Sequence, residues 1–217
     1  MEKTKTVLRG EIALLTVVLI NSFGVVLMLY SGSGISAISS VPYAFSEVLP
    51  KVTLGTWTYI FQGLLILSLM LLRKRFVPAY LLSFVVGFAF GVMIDVNEMW
   101  IDILPYTLPM RVLYFCISYV VLCIGIALSN RCKMPIIPTD LFPRELCGIT
   151  GKAYSKIKIS FDVICLAVTA LLTFAFLHHI MGLGIGTVLA AFTMGKVIGV
   201  IGDAMDKHFE FVSVFSH

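Results

Sequence analysis

The sequence predicts an all-α integral membrane protein: six membrane-spanning helices arranged as two inverted three-helix repeats, each with a short re-entrant or amphipathic helix. Three observations lead there. The chain is 59% hydrophobic and only 13% charged, with a mean hydropathy of +1.00, whereas a soluble domain carries roughly 25% charged residues. Its apolar runs have the length of a bilayer crossing. Its two halves echo one another in the order of their loops, prolines and acids.

The first run starts near residue 12 and continues through Asn21 and Ser22 to Tyr30. Lys3, Lys5 and Arg9 precede it as they would a signal peptide, but no small-x-small cleavage site follows, so it is read as a helix. Further runs occupy 57–72, 76–94, 112–128, 159–177 and 183–201. Most reach the roughly 17 to 25 residues that a helix needs to cross about 30 Å of hydrocarbon. One membrane domain over 1–217 is expected, with repeat 1 at about 10–96 and repeat 2 at about 110–204.

Orientation follows from the basic residues. Thirteen of the sixteen lie at one set of helix ends, from Lys3 through Arg73–Arg75 and Arg131–Lys158 to Lys207, against Lys51 and Arg111 at the other. By the positive-inside rule both termini face the cytoplasm. Asp95, Glu98 and Asp102 fall on the outer side, and Trp57, Tyr59, Trp100 and Tyr106 sit where an aromatic belt would lie. Basic residues confined to such loops argue against nucleic acid as a partner; lipid is the expected environment, and a homo-oligomer is compatible with the sequence. No cysteine is placed for an external disulfide, no C-x-x-C pair exists, and His178 and His179, being adjacent, point apart. No metal, cofactor or catalytic residue is assigned.

The repeat aligns "GVVLMLYSGSGISAISSVPYAF" (24–45) with "GIALSNRCKMPIIPTDLFPREL" (125–146). Each copy has a glycine near a helix end, Gly24 and Gly125. A loop follows in which Ser39-x-x-Pro42 lies opposite Asp140-x-x-Pro143. Phe61-Gln62 then answers Phe161-Asp162, and Gly91-x-x-x-Asp95 answers Gly199-x-x-x-Asp203. Three spans per copy is an odd number, so the second copy enters the bilayer upside down, a plan common among secondary transporters that bind substrate between repeats. The loops 31–50 and 132–150 then read as Pro-interrupted elements, acceptable at membrane depth only where protein or a wet cavity covers them.

The segment "PIIPTDLFPREL", followed by a span and "GLGIGTVLAAFTMGKVIG", resembles the YczE/YyaS/YitT family of bacterial membrane proteins. The matching positions are Pro138, Asp140, Leu141, Arg144, Gly184, Gly186 and Thr187, while Lys196 and Thr139 depart from the pattern. The resemblance implies the fold and a location in the bacterial inner (cytoplasmic) membrane, and assigns no activity.

Read singly, the polar residues divide between scaffold and site. Gly182-x-Gly184-x-Gly186 has no preceding strand and is not a dinucleotide fingerprint; it either packs or unwinds a helix start before a substrate. Gly87-x-x-x-Gly91 and Gly195-x-x-x-Gly199 suit close helix packing. Asp140 either caps a short helix or pairs with Arg144 one turn on, gating a vestibule or binding a polar group. Asp162 is wet at the interface or a relay opposite Gln62, and Asn21 is interhelical glue or a substrate contact. Lys196 snorkels to the headgroups or pairs with Asp162. The substrate-binding set expected is thus Asn21, Ser39, Gln62, Asp140, Arg144, Asp162, Gly184, Gly186, Thr187 and Lys196.

Two functions fit: a small secondary transporter or exporter of a polar or amphipathic small molecule, and a non-transporting membrane accessory protein. A membrane enzyme is disfavoured because no Ser/His/Asp set, paired carboxylates or metal ligands share one leaflet.

Overall fold

A computed structural model describes residues 6–213. Lys3 and Lys5, used above for orientation, lie outside the described residues. Six helices have the length and hydropathy of membrane spans: α1 (Gly10–Tyr30), α3 (Leu54–Arg73), α4 (Pro78–Glu98), α5 (Leu108–Ser129), α7 (Tyr154–Leu177) and α8 (Ile185–His208). Two shorter helices, α2 (Ala37–Val48) and α6 (Pro138–Thr150), occupy the loops marked by Ser39-x-x-Pro42 and Asp140-x-x-Pro143. The chain is therefore a multi-pass membrane protein.

Local chemistry sets the helix starts: α3, α5 and α7 begin ahead of their apolar runs, whereas α4 and α8 begin just inside theirs. The Thr53 side chain caps α3 by accepting from the Thr56 N–H. Proline opens α4 and α5, where its missing N–H costs nothing. Pro42 and Pro143 lie inside α2 and α6, which fits their shortness, since an interior proline removes a ladder bond.

The core forms where α1 lies against α5, flanked by α4 on α1 and α8 on α5. The short helix α2 packs on α3 and α7, and α6 on α7 and α3. Large apolar side chains such as Leu71, Leu171 and Ile185 face outward, exposed by 70% or more, as helices need when lipid is the solvent. One element was not foreseen: strand β1 (Thr6–Arg9) pairs in parallel with β2 (Phe209–Val212), tying both ends of the domain to one face.

The glycine stripes divide. Gly91 meets the Gly55 backbone and Gly87 meets Gln62 and Pro138, as close packing requires. Gly195 lies against Ser155 and Lys158, but the space around Gly199 is open. The expectation that Gly199 packs is corrected: it follows Gly195 by one turn, yet a Cβ added there would meet no atom within 4 Å.

Candidate functional site

Asn21 is the twelfth of the 21 residues of α1, and beside it lies a cavity of about 30 Å³. Ser36, Ser39, Thr139 and Asp140 line it together with Asn21, as do Phe90 of α4 and Leu122 and Ile126 of α5. Ser36 and Ile137 are the residues at which α2 and α6 begin, so both short helices bring their N-terminal ends to this one space. Neither start carries a side-chain cap. The Ser36 hydroxyl donates to Ser39 Oγ at 2.9 Å instead. The volume holds a water or a small ion and excludes a metabolite.

Two side chains at the cavity are buried without a partner. Asn21 is 3% exposed and its Oδ1, pressed against Gly125, accepts no hydrogen bond. Asp140 is 7% exposed and its Oδ2 is likewise unpaired. Burial pushes the Asp140 carboxyl up to about 6, against the opposing pull of Ser129, Lys158 and Arg144. Groups left in this condition cost free energy unless a ligand or water completes them.

The other expected site residues fall elsewhere. Arg144 forms no ion pair with Asp140; it reaches out to line a cleft of about 490 Å³ with Arg73, Lys133 and Glu145. That corrects the expected charge pair, because a long guanidinium side chain keeps its charge near solvent while Asp140 is enclosed at the helix start. Gln62 is fully buried against Gly87 and Pro138, with both amide atoms unpaired. Asp162 is buried and bonded to Lys158, whereas Lys196 is exposed, so the lysine partnered with Asp162 is Lys158.

Gly184 and Gly186 are packed rather than unwound into the cavity. Gly184 meets the backbone of Ser33 and Gly34, Gly186 meets the Phe115 ring, and the Gly186 N–H donates to the Ser33 carbonyl at 3.0 Å. Thr187 Oγ1 accepts from the Gly184 N–H and donates to the Gly182 carbonyl, each at 3.3 Å. These residues fasten the start of α8 to the loop that feeds α2. Of the expected set, Asn21, Ser39 and Asp140 share the central cavity. Lys158 stands one residue before the apolar run at 159 and so reads in the sequence as a loop cation; the signal that it is more is the Lys158-x-x-x-Asp162 spacing.

A family model described as a family of unknown function, DUF6198, matches residues 8–203. The chain belongs to that family. The match runs from the strand before α1 to the last turns of α8, so both short helices and the cavity between them lie within it. No curated protein and no solved structure matches the chain.

Proposed function

We propose that the protein is a small secondary transporter or exporter of a polar or amphipathic small molecule, working by alternating access between inverted repeats. The observation that carries this reading is the cavity halfway along α1, where two uncapped helix starts and the unpaired Asn21 and Asp140 converge. Broken or short helices that meet near midplane are how secondary transporters assemble a substrate site. At about 30 Å³ the cavity is too small for such a molecule, so on this reading it widens as it opens toward one face and then the other.

The helix pairings support the repeat. Exchanging the halves turns α1 on α4 into α5 on α8, α2 on α7 into α6 on α3, and α2 on α3 into α6 on α7, while α1 on α5 returns itself. A rotation of about 180° around an axis in the membrane plane has this effect. The same reading keeps the likeness to the YczE/YyaS/YitT family, both termini in the bacterial cytoplasm, lipid as the environment, and no catalytic chemistry or cofactor.

Thiol accessibility tests transport without a known substrate. In a variant freed of its five native cysteines, Ser39→Cys should react with a membrane-impermeant methanethiosulfonate applied to either face of oriented vesicles. Reaction from neither face, or from one alone, would favour a non-transporting accessory protein.

A further inference from the structure

A second space lies at the basic end of the spans. The cleft of about 490 Å³ is framed by Arg73 at the last residue of α3, the first turns of α4, the connection from α5 to α6, and one face of α6. That volume is in the range that encloses a small organic ligand. Its walls are of two kinds. Val77, Leu82, Met134 and Leu141 give an apolar side, and Leu82 is 45% exposed on a membrane-spanning helix, where the neighbouring solvent is lipid. Arg73, Lys133, Arg144 and Glu145 give a charged side.

The charges on that side do not cancel. Glu145 is engaged twice, by the Arg73 guanidinium and by the Tyr80 hydroxyl, which donates to its Oε2 at 2.6 Å. One acid thus meets one of three cations. Arg144, half-buried, and Lys133 make no ion pair among the described residues. Lys133 is also held with φ at +53°, in the left-handed region that residues other than glycine seldom enter. Two cations without a counter-charge therefore border one cleft whose only acid is already taken.

We infer that this cleft binds the phosphate headgroup of an anionic phospholipid, its charge taken by Arg144 and Lys133 and its acyl chains leaving over Leu82 into the bilayer. A guanidinium matches two phosphate oxygens at once, and a lysine adds a point charge. Basic pockets between membrane helices are a recurrent setting for such headgroups. A zwitterionic lipid fits less well, because its cationic group would meet a side with no free carboxylate. A soluble phosphate ester shares the headgroup chemistry but leaves the apolar side uncovered. Asn21 and Ser39 do not line this cleft, so the inference does not rest on transport.

The test is thermal unfolding of the purified full chain in dodecyl maltoside micelles doped with phosphatidylglycerol or, at the same mole fraction, phosphatidylcholine. Glycerol 3-phosphate in plain micelles is the soluble arm. Phosphatidylglycerol should raise the unfolding temperature over phosphatidylcholine, by a few degrees once it exceeds its dissociation constant about tenfold. Glycerol 3-phosphate at the same concentration should not. The gain should be lost in Lys133→Gln with Arg144→Gln, and kept in Lys152→Gln with Lys207→Gln, which removes the same charge from exposed positions outside the cleft. Should the first double variant not fold, Arg144→Gln alone is expected to cut the apparent affinity for the lipid by about tenfold, the worth of a hydrogen bond to a charged group. Equal unfolding temperatures of the wild type in the two lipids would overturn the proposal, as would a gain lost equally in both double variants. An equal gain from glycerol 3-phosphate would overturn the lipid as the source of the phosphate.

Discussion

Lys158 and Asp162 hold each other on one face of α7, one helical turn apart, with both side chains almost fully enclosed. Such a pair is expensive to desolvate and weak as net stabilisation, yet removing one partner strands the other charge. Asp162→Asn should therefore lower stability by about 3–5 kcal/mol. The double change Lys158→Met with Asp162→Leu should restore most of that loss, because a packed apolar pair needs no solvation. Unfolding temperatures of the three variants in one detergent measure this, and a neutral single variant would refute it.

Close backbone contact between α3 and α4 gives a second expectation. A Cβ added at Gly91 would lie 2.7 Å from the Gly55 carbonyl oxygen, and that oxygen belongs to a helix anchored by Asp95, which accepts from the Gly55 N–H at 2.8 Å. Gly91→Val should thus cut folded yield sharply. Gly199→Leu should leave yield and unfolding temperature close to wild type, since nothing lies within 4 Å of the added atom. Size-exclusion profiles of the two variants decide it.

These contrasts show where sequence reading succeeds and where it stops. The six spans are legible because lipid leaves a helix no way to hide a polar stretch on its outer face. Asn21 is legible singly, as an amide in the middle of an apolar run, and Ser39 and Asp140 by their like spacing to Pro42 and Pro143, but that the three share one cavity is visible only in the fold. The β1–β2 pairing joins Thr6 to Phe209, and four-residue strands so far apart carry no local signal. Gly195 and Gly199 look alike in sequence; only the position of α7 separates them. Lys158 sits at the edge of an apolar run, where a lysine reads as a headgroup anchor until the turn spacing to Asp162 is weighed.

Gln62 is fully buried with neither amide atom bonded. An unpaired buried polar group costs about 1–3 kcal/mol, which an apolar residue of similar shape escapes. Gln62→Leu is expected to raise the unfolding temperature. If the amide serves substrate during the cycle, the same variant loses transport while gaining stability, so the two measurements belong together. A lower unfolding temperature would show that Gln62 has a partner in the folded protein.

Orientation is checked at two points on opposite faces. Trp100 precedes the 3-10 turn Ile101–Ile103, and a cysteine placed there should react with an impermeant thiol reagent added to whole cells. Cys147 is on α6 near the end that carries the Arg73–Glu145 ion pair, and it should stay unmodified until the membrane is opened. Labelling of Cys147 in intact cells would invert the topology.

The Asp140 carboxyl makes stability fall as pH rises, with a sign fixed by its burial. In the unfolded chain an aspartate titrates at about 3.9; in the folded protein burial holds this one at about 6. Between those values the native state retains a proton that the unfolded state releases, so stability declines across the window and the loss is complete above pH 6. The gap corresponds to ~3 kcal/mol. Asp140→Asn cannot ionise and should lack this component. Unfolding temperatures of wild type and Asp140→Asn from pH 4 to pH 7 should therefore diverge, the variant gaining on the wild type with each step. Parallel curves would mean that the carboxyl is already ionised at pH 4 and is paired in the folded protein.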